Sequence, residues 1–148
     1  VIRLFEEEDL DEVLAIWLDA NLRAHSFIPA GYWEGRREEV RQALPQAELY
    51  VWEEWGEILG FLGLEGDYIA GIFVRHGAQS RGVGKKLLDR AKEGRGRLSL
   101  RVYEKNTRAA AFYRREGFSA LGEQTDAGTG EVERCMCWRS GGKEEPSC

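Results

Sequence analysis

The sequence predicts a mixed α/β (α+β) fold built around one central sheet. Some stretches repeat apolar residues at three and four positions, whereas others alternate or run unbroken. The two kinds intermingle in the order β-α-α-β-β-β-α-β-α-β-β, with no internal repeat. At 148 residues, 43% hydrophobic and 32% charged, the chain suits a single domain with one core.

Each element has a local reason. Ile2 to Phe5 reads as a short strand. Asp9 precedes a helix whose Leu10, Val13, Leu14, Trp17 and Leu18 share a face, and the pattern fades near Asn21 to Ala24. His25 to Pro29 is a loop, and a second helix is expected from Tyr32 to Leu44, closed by Pro45. Leu49 to Glu53 and Ile58 to Leu64 form a hairpin turning on Glu54, Trp55, Gly56 and Glu57. Tyr68 to Val74 is almost uniformly apolar, which predicts burial on both faces. Gly71 in its middle marks a bulge or a close approach to the backbone. The helix from Gly82 to Glu93 turns Val83, Leu87, Leu88 and Ala91 inward and ends at Gly94. Arg97 to Tyr103 alternates as a strand, and Thr107 to Glu116 is a short helix ended by Gly117. Phe118 to Leu121 and Val132 to Trp138 are closing strands around a turn at Gly128 to Gly130. Residues 1–140 are read as one domain and residues 141–148 as a disordered polar tail.

Composition excludes several classes. The net charge of −5 gives no global attraction for nucleic acid or an anionic membrane, so neither is expected as a partner. No apolar run reaches the length of about 18 residues that a spanning helix needs. The acidic N-terminal stretch does not suit a signal peptide, and a cytoplasmic protein is the simplest reading. Cys135 and Cys137 share a strand face and read as buried free thiols; no metal is expected.

The chemistry concentrates in Gln79-Ser80-Arg81-Gly82-Val83-Gly84-Lys85-Lys86, which joins the apolar strand to an amphipathic helix. A helix start carries unpaired backbone N–H groups and partial positive charge. Glycines let a ligand reach those groups, and Arg81, Lys85 and Lys86 add full charges, so the segment can hold an anion. A plain surface turn before a basic helix would use the same residues. A nucleotide P-loop has the spacing Gly77 to Gly82 but requires Lys and Ser/Thr where Val83 and Gly84 stand. The dinucleotide fingerprint requires a third glycine where Leu87 stands.

The pattern Gln/Arg-x-x-Gly-x-Gly/Ala is met by Gln79, Gly82 and Gly84, followed by Asn106, Ala109, Phe112, Tyr113, Gly117 and Phe118. The pair resembles the GNAT superfamily of N-acetyltransferases, its small single-domain bacterial members, over Ile2 to Trp138. The resemblance implies a mixed sheet whose two parallel central strands, Tyr68 to Val74 and Arg97 to Tyr103, splay apart, with helices on both faces. It implies acetyl-CoA as co-substrate, its pantetheine arm along the main chain of Phe73 and Val74. Its pyrophosphate would rest on the amides from Arg81 through Gly82, Val83 and Gly84 to Lys85. Asn106 would contact the pantetheine side, and Tyr113 would approach the sulfur as the catalytic acid. One departure is His76, where many relatives carry proline.

The acceptor implied is a small-molecule or peptide amine. Its pocket is expected at the first inter-helix loop, around His25, Phe27, Ile28, Tyr32 and Trp33, an equally good set for capping the core. Tyr68 occupies the position where some relatives carry a glutamate base; Glu65, Asp67 and Glu104 are the nearby carboxylates. The absence of an obvious base leaves an acyl-CoA-binding or sensing module as the alternative to an enzyme. A monomer or a homodimer suits the chain equally.

Overall fold

A computed structural model describes residues 1–141; the expected tail, apart from Gly141, lies outside the described residues. The strands are β1 (Ile2–Leu4), β2 (Glu48–Glu54), β3 (Glu57–Glu65), β4 (Tyr68–Val74), β5 (Arg97–Tyr103), β6 (Ser119–Thr125) and β7 (Val132–Arg139). They form one sheet in the order β1-β2-β3-β4-β5-β7-β6, antiparallel except where β4 meets β5. The helices are α1 (Leu10–Ala24), α2 (Ala30–Gly35), α3 (Arg37–Ala43), α4 (Val83–Lys92) and α5 (Thr107–Arg115).

The mixed α/β fold with helices on both faces of the sheet is present as expected. On one face Leu59, Leu62 and Leu64 of β3 meet Leu87 and Leu88 of α4, Leu98 and Leu100 of β5, and Tyr113 of α5. On the other, Phe61 and Val51 meet Val13, Leu14 and Trp17 of α1. Each such large apolar side chain contributes about 1.5–3 kcal/mol by leaving water.

Three elements depart from their local patterns. The expected second helix is two, because Arg36 adopts φ −95° and ψ −2° and its N–H bonds to the Trp33 carbonyl at 3.1 Å. Gly31 and Gly35 weaken the helix, and a three-residue closure at its end turns the chain. The last-but-one strand begins at Ser119 and runs on to Thr125, while Phe118 sits in the core beneath Tyr113. A bulge between Ala120 and Gly122 breaks the alternation that would have revealed its length.

The third departure is Asp9, which caps an earlier 3-10 turn, Glu7–Asp9, by accepting from the Glu6 N–H at 2.8 Å. Both its oxygens also accept from the Arg3 guanidinium, at 2.8 and 2.9 Å. Those bonds to Arg3 hold the Asp9 carboxyl below its ordinary value, against the opposing effect of burial. The stabilisation is therefore present above the unfolded-chain value of about 4 and is lost as pH falls through the lower folded one. Asp9→Asn is expected to cost about 1–3 kcal/mol at pH 7, since it leaves Arg3 short of a partner. Urea midpoints at pH 7 and pH 3 check this; an equal gap between variant and wild type at both values would count against it.

The feature that creates a site is the parting of β4 from β5. They pair only through Tyr68 with Ser99 and Ile69 with Leu100. The register of β4 on β3 shifts here, leaving Ala70 without a partner just before Gly71. Such a bulge bends its strand. The bulge expected near Gly71 is thus one residue upstream, and the glycine has a separate duty: a Cβ there would overlap the Phe73 ring. Burial on both faces, expected for β4, belongs instead to β3, whose Ile58 to Leu64 are all buried. Gly71 to Val74 are half-buried, since the strand that would cover their edge has turned away.

Candidate active site

The gap between β4 and β5 opens into a cavity of about 490 Å³. Ala20, Asn21, Ala24 and His25 line it from the α1 side, and Gly84, Phe112 and Tyr113 from the α4 and α5 side. It is therefore a slot through the sheet, with Ile72, Phe73 and Val74 along its β4 wall. Phe73 is anchored on the first side by stacking on Phe61, ring centres 5.0 Å apart.

Gln79, Ser80, Gly82, Val83, Gly84 and Lys85 line the end of the slot. Gly82 is the N-cap of α4 at φ 78°, a left-handed conformation that a side chain disfavours. Gly77 at 96° and Ser80 at 71° share that hand, so the loop coils tightly in the manner that presents amides to an anion. Among the described residues no side chain caps α4, and its first turn holds no acidic residue. At Gly84 a Cβ would meet Phe112 at 3.6 Å and Val74 at 3.8 Å, ordinary contact distances. Lys85 pairs with Glu116 at 3.0 Å, which raises its ammonium above its ordinary value.

Tyr113 reaches the slot from α5, its ring packed edge-on against Phe112 and Phe118. Burial pushes its phenol well above the ordinary value, so it is protonated at neutral pH. Asn106 caps α5 by accepting from the Ala109 N–H at 3.3 Å and lines the same slot. His25 lines it opposite, and burial lowers its imidazole to about 4.

Several residues named from the sequence lie outside the lining. Arg81 turns its guanidinium to Glu54 at 3.1 Å. Phe27 packs against Tyr103, under the Lys105 ammonium. Tyr68 lies beneath the Arg101 guanidinium at 6.0 Å. Ile28 and Trp33 are core residues, so the loop aromatics chiefly close the core. Glu104 is paired with Arg134 at 3.5 Å, and neither it, Glu65 nor Asp67 lines the slot. Ser80 and Phe112 lie in the motifs quoted from the sequence, whereas sequence reasoning gave Asn21 and Glu116 no part in the site. Asn21 gave one signal, a polar residue on the inner face of α1 four positions after Trp17.

A mixed sheet split between two parallel strands, with a glycine-rich helix start at one end and a protonated phenol in the split, defines an acyltransferase architecture. The acetyltransferase (GNAT) domain model matches residues 45–120. Peptidyl-lysine N-acetyltransferase YiaC of Escherichia coli is 39% identical over 120 residues, 80% of this chain and 82% of that one. Peptidyl-lysine N-acetyltransferase YjaB of the same species is 32% identical over 122 residues, 82% and 83% of the two chains. The solution structure of apo-form YjaB from Escherichia coli matches with a TM-score of 0.84 at 29% identity, covering 93% and 96%. The chain belongs to the GNAT family of acetyltransferases and is an N-acetyltransferase.

Proposed function

We propose that this chain transfers the acetyl group of acetyl-CoA to the ε-amine of lysine side chains in peptides or proteins. The observation that carries the reading is the slot through the sheet, which joins the glycine-rich loop to Tyr113 and is lined by α1 on its other side. The slot suits a long donor with a charged end. Unpaired amides of α4 would receive the pyrophosphate, with Lys85 beside them. The free edge of Phe73 and Val74 would receive the pantetheine amides, as added strands do. The acceptor class comes from the two relatives named as peptidyl-lysine acetyltransferases.

In the reaction the amine nitrogen bonds to the thioester carbonyl carbon and the carbon–sulfur bond breaks. Tyr113 would give its proton to the departing sulfur, since a thiol leaves more easily than a thiolate. The amine sheds a proton to water as it attacks, and water returns one to the Tyr113 phenolate, because none of Glu65, Asp67 and Glu104 lines the slot. Residues 1–140 would act as one domain, and the Cys135 thiol fits a reducing compartment such as the cytoplasm.

The test is incubation with acetyl-CoA and peptides whose N-terminus is blocked or free, reading free thiol and the modified position by mass spectrometry. Acetylation of lysine in the blocked peptide is expected. Modification of N-terminal amines alone would overturn the lysine assignment. Acetyl-CoA binding without thiol release from any amine would favour the binding-module alternative.

A further inference from the structure

His25 joins the two sides of the slot through a series of hydrogen bonds whose directions are mutually consistent. Asn21, buried in α1, donates its Nδ2 to the Trp17 carbonyl at 2.9 Å, which leaves its Oδ1 as the acceptor facing outward. That oxygen lies 3.0 Å from His25 Nδ1. On the far side of the ring, His25 Nε2 lies 3.1 Å from Asn106 Nδ2. Asn106 in turn commits its Oδ1 to the Ala109 N–H at the start of α5. Both amides are thereby oriented, and only one histidine form completes the series, with the proton on Nδ1 and the lone pair on Nε2.

The surroundings fix the ring as well. Trp33 stacks on it with centres 5.4 Å apart, and Tyr103 and Phe27 meet it edge-on at 5.0 and 5.7 Å. These contacts come from α2, β5 and the loop after α1. His25 and Asn106 both line the slot, yet they stand 81 residues apart in sequence.

We propose that His25 is a positioning residue for the acyl donor: its neutral Nδ1–H form holds the Asn106 amide in place and ties α1 to α5 across the slot. The inference rests on the donor occupying that slot. It revises the first expectation for His25, an acceptor contact, into support of the donor side. A histidine that only filled space would need neither a defined tautomer nor a dependence on Asn106.

Nitrogen-15 NMR of the histidine-labelled wild type reads the tautomer, with the Nδ1–H form expected for His25. Calorimetric titration with acetyl-CoA reads the coupling. His25→Ala is expected to raise Kd and KM for acetyl-CoA about tenfold, the effect of one hydrogen bond to a half-buried amide, with kcat at saturation nearly unchanged. Asn106→Ala should weaken binding similarly, and the double variant no further than Asn106→Ala alone. His25→Gln, which can donate to Asn21 and accept from Asn106, should recover part of the loss.

An Nε2–H tautomer would overturn the proposal. So would additive losses in the double variant, or a lower melting temperature of His25→Ala with unchanged Kd. If His25→Ala does not fold, the tautomer and the Gln variant decide. Failure of the wild type itself to bind acetyl-CoA would instead remove the functional reading on which the proposal stands.

Discussion

Tyr113→Phe is expected to lower kcat by about a hundredfold or more, the scale of losing a positioned general acid, while Kd for acetyl-CoA stays nearly the same. The ring is 8% exposed and held by Phe112 and Phe118, so phenylalanine keeps the packing and removes only the hydroxyl. Burial raises the phenol, keeping its proton available across the neutral range. Steady-state rates with a lysine peptide, beside a calorimetric titration, separate the two quantities. An unchanged kcat would remove Tyr113 from the chemistry.

Gly84→Glu is expected to weaken acetyl-CoA binding by more than about a hundredfold, because like charges brought together cost several kcal/mol. Folding should be spared. The Cβ position has van der Waals room beside Phe112 and Val74, and a carboxylate in the first turn of α4 is favourable to the helix dipole. The same partial charge that attracts a phosphate would then be satisfied by the protein's own side chain. Gly84→Ala, which adds only the methyl, should bind almost as the wild type does. A melting curve and a titration of each variant check the contrast; a Gly84→Glu protein that binds normally would place the pyrophosphate elsewhere.

Much of the site was readable because its parts are local. The loop from Gln79 to Lys85 depends on a strand, two glycines and a helix start within a few positions of one another. Asn106 and Tyr113 lie seven residues apart on one helix and its cap, so their shared side follows from helical spacing. The Arg81 guanidinium was not legible for an equally physical reason: nothing in the loop reveals that Glu54, from the turn end of β2, comes within 3.1 Å of it. Uniform apolarity in β4 suggested a covered strand, yet its half-buried downstream residues form the wall of a slot. A surface made to contact an apolar ligand and one made to contact the core have the same composition.

By itself, then, the sequence determined the mixed α/β class, the glycine-rich loop at the start of α4 and the placing of Tyr113 on α5. Each follows from the periodicity, capping and turn preferences of neighbouring residues. The tertiary structure alone decided that β4 and β5 separate after two residue pairs, and that Asn21, His25 and Asn106 meet across the opening. Those outcomes depend on strand register and on hydrogen bonds between distant segments. Their energies become favourable only once both clusters of the core have packed against the sheet.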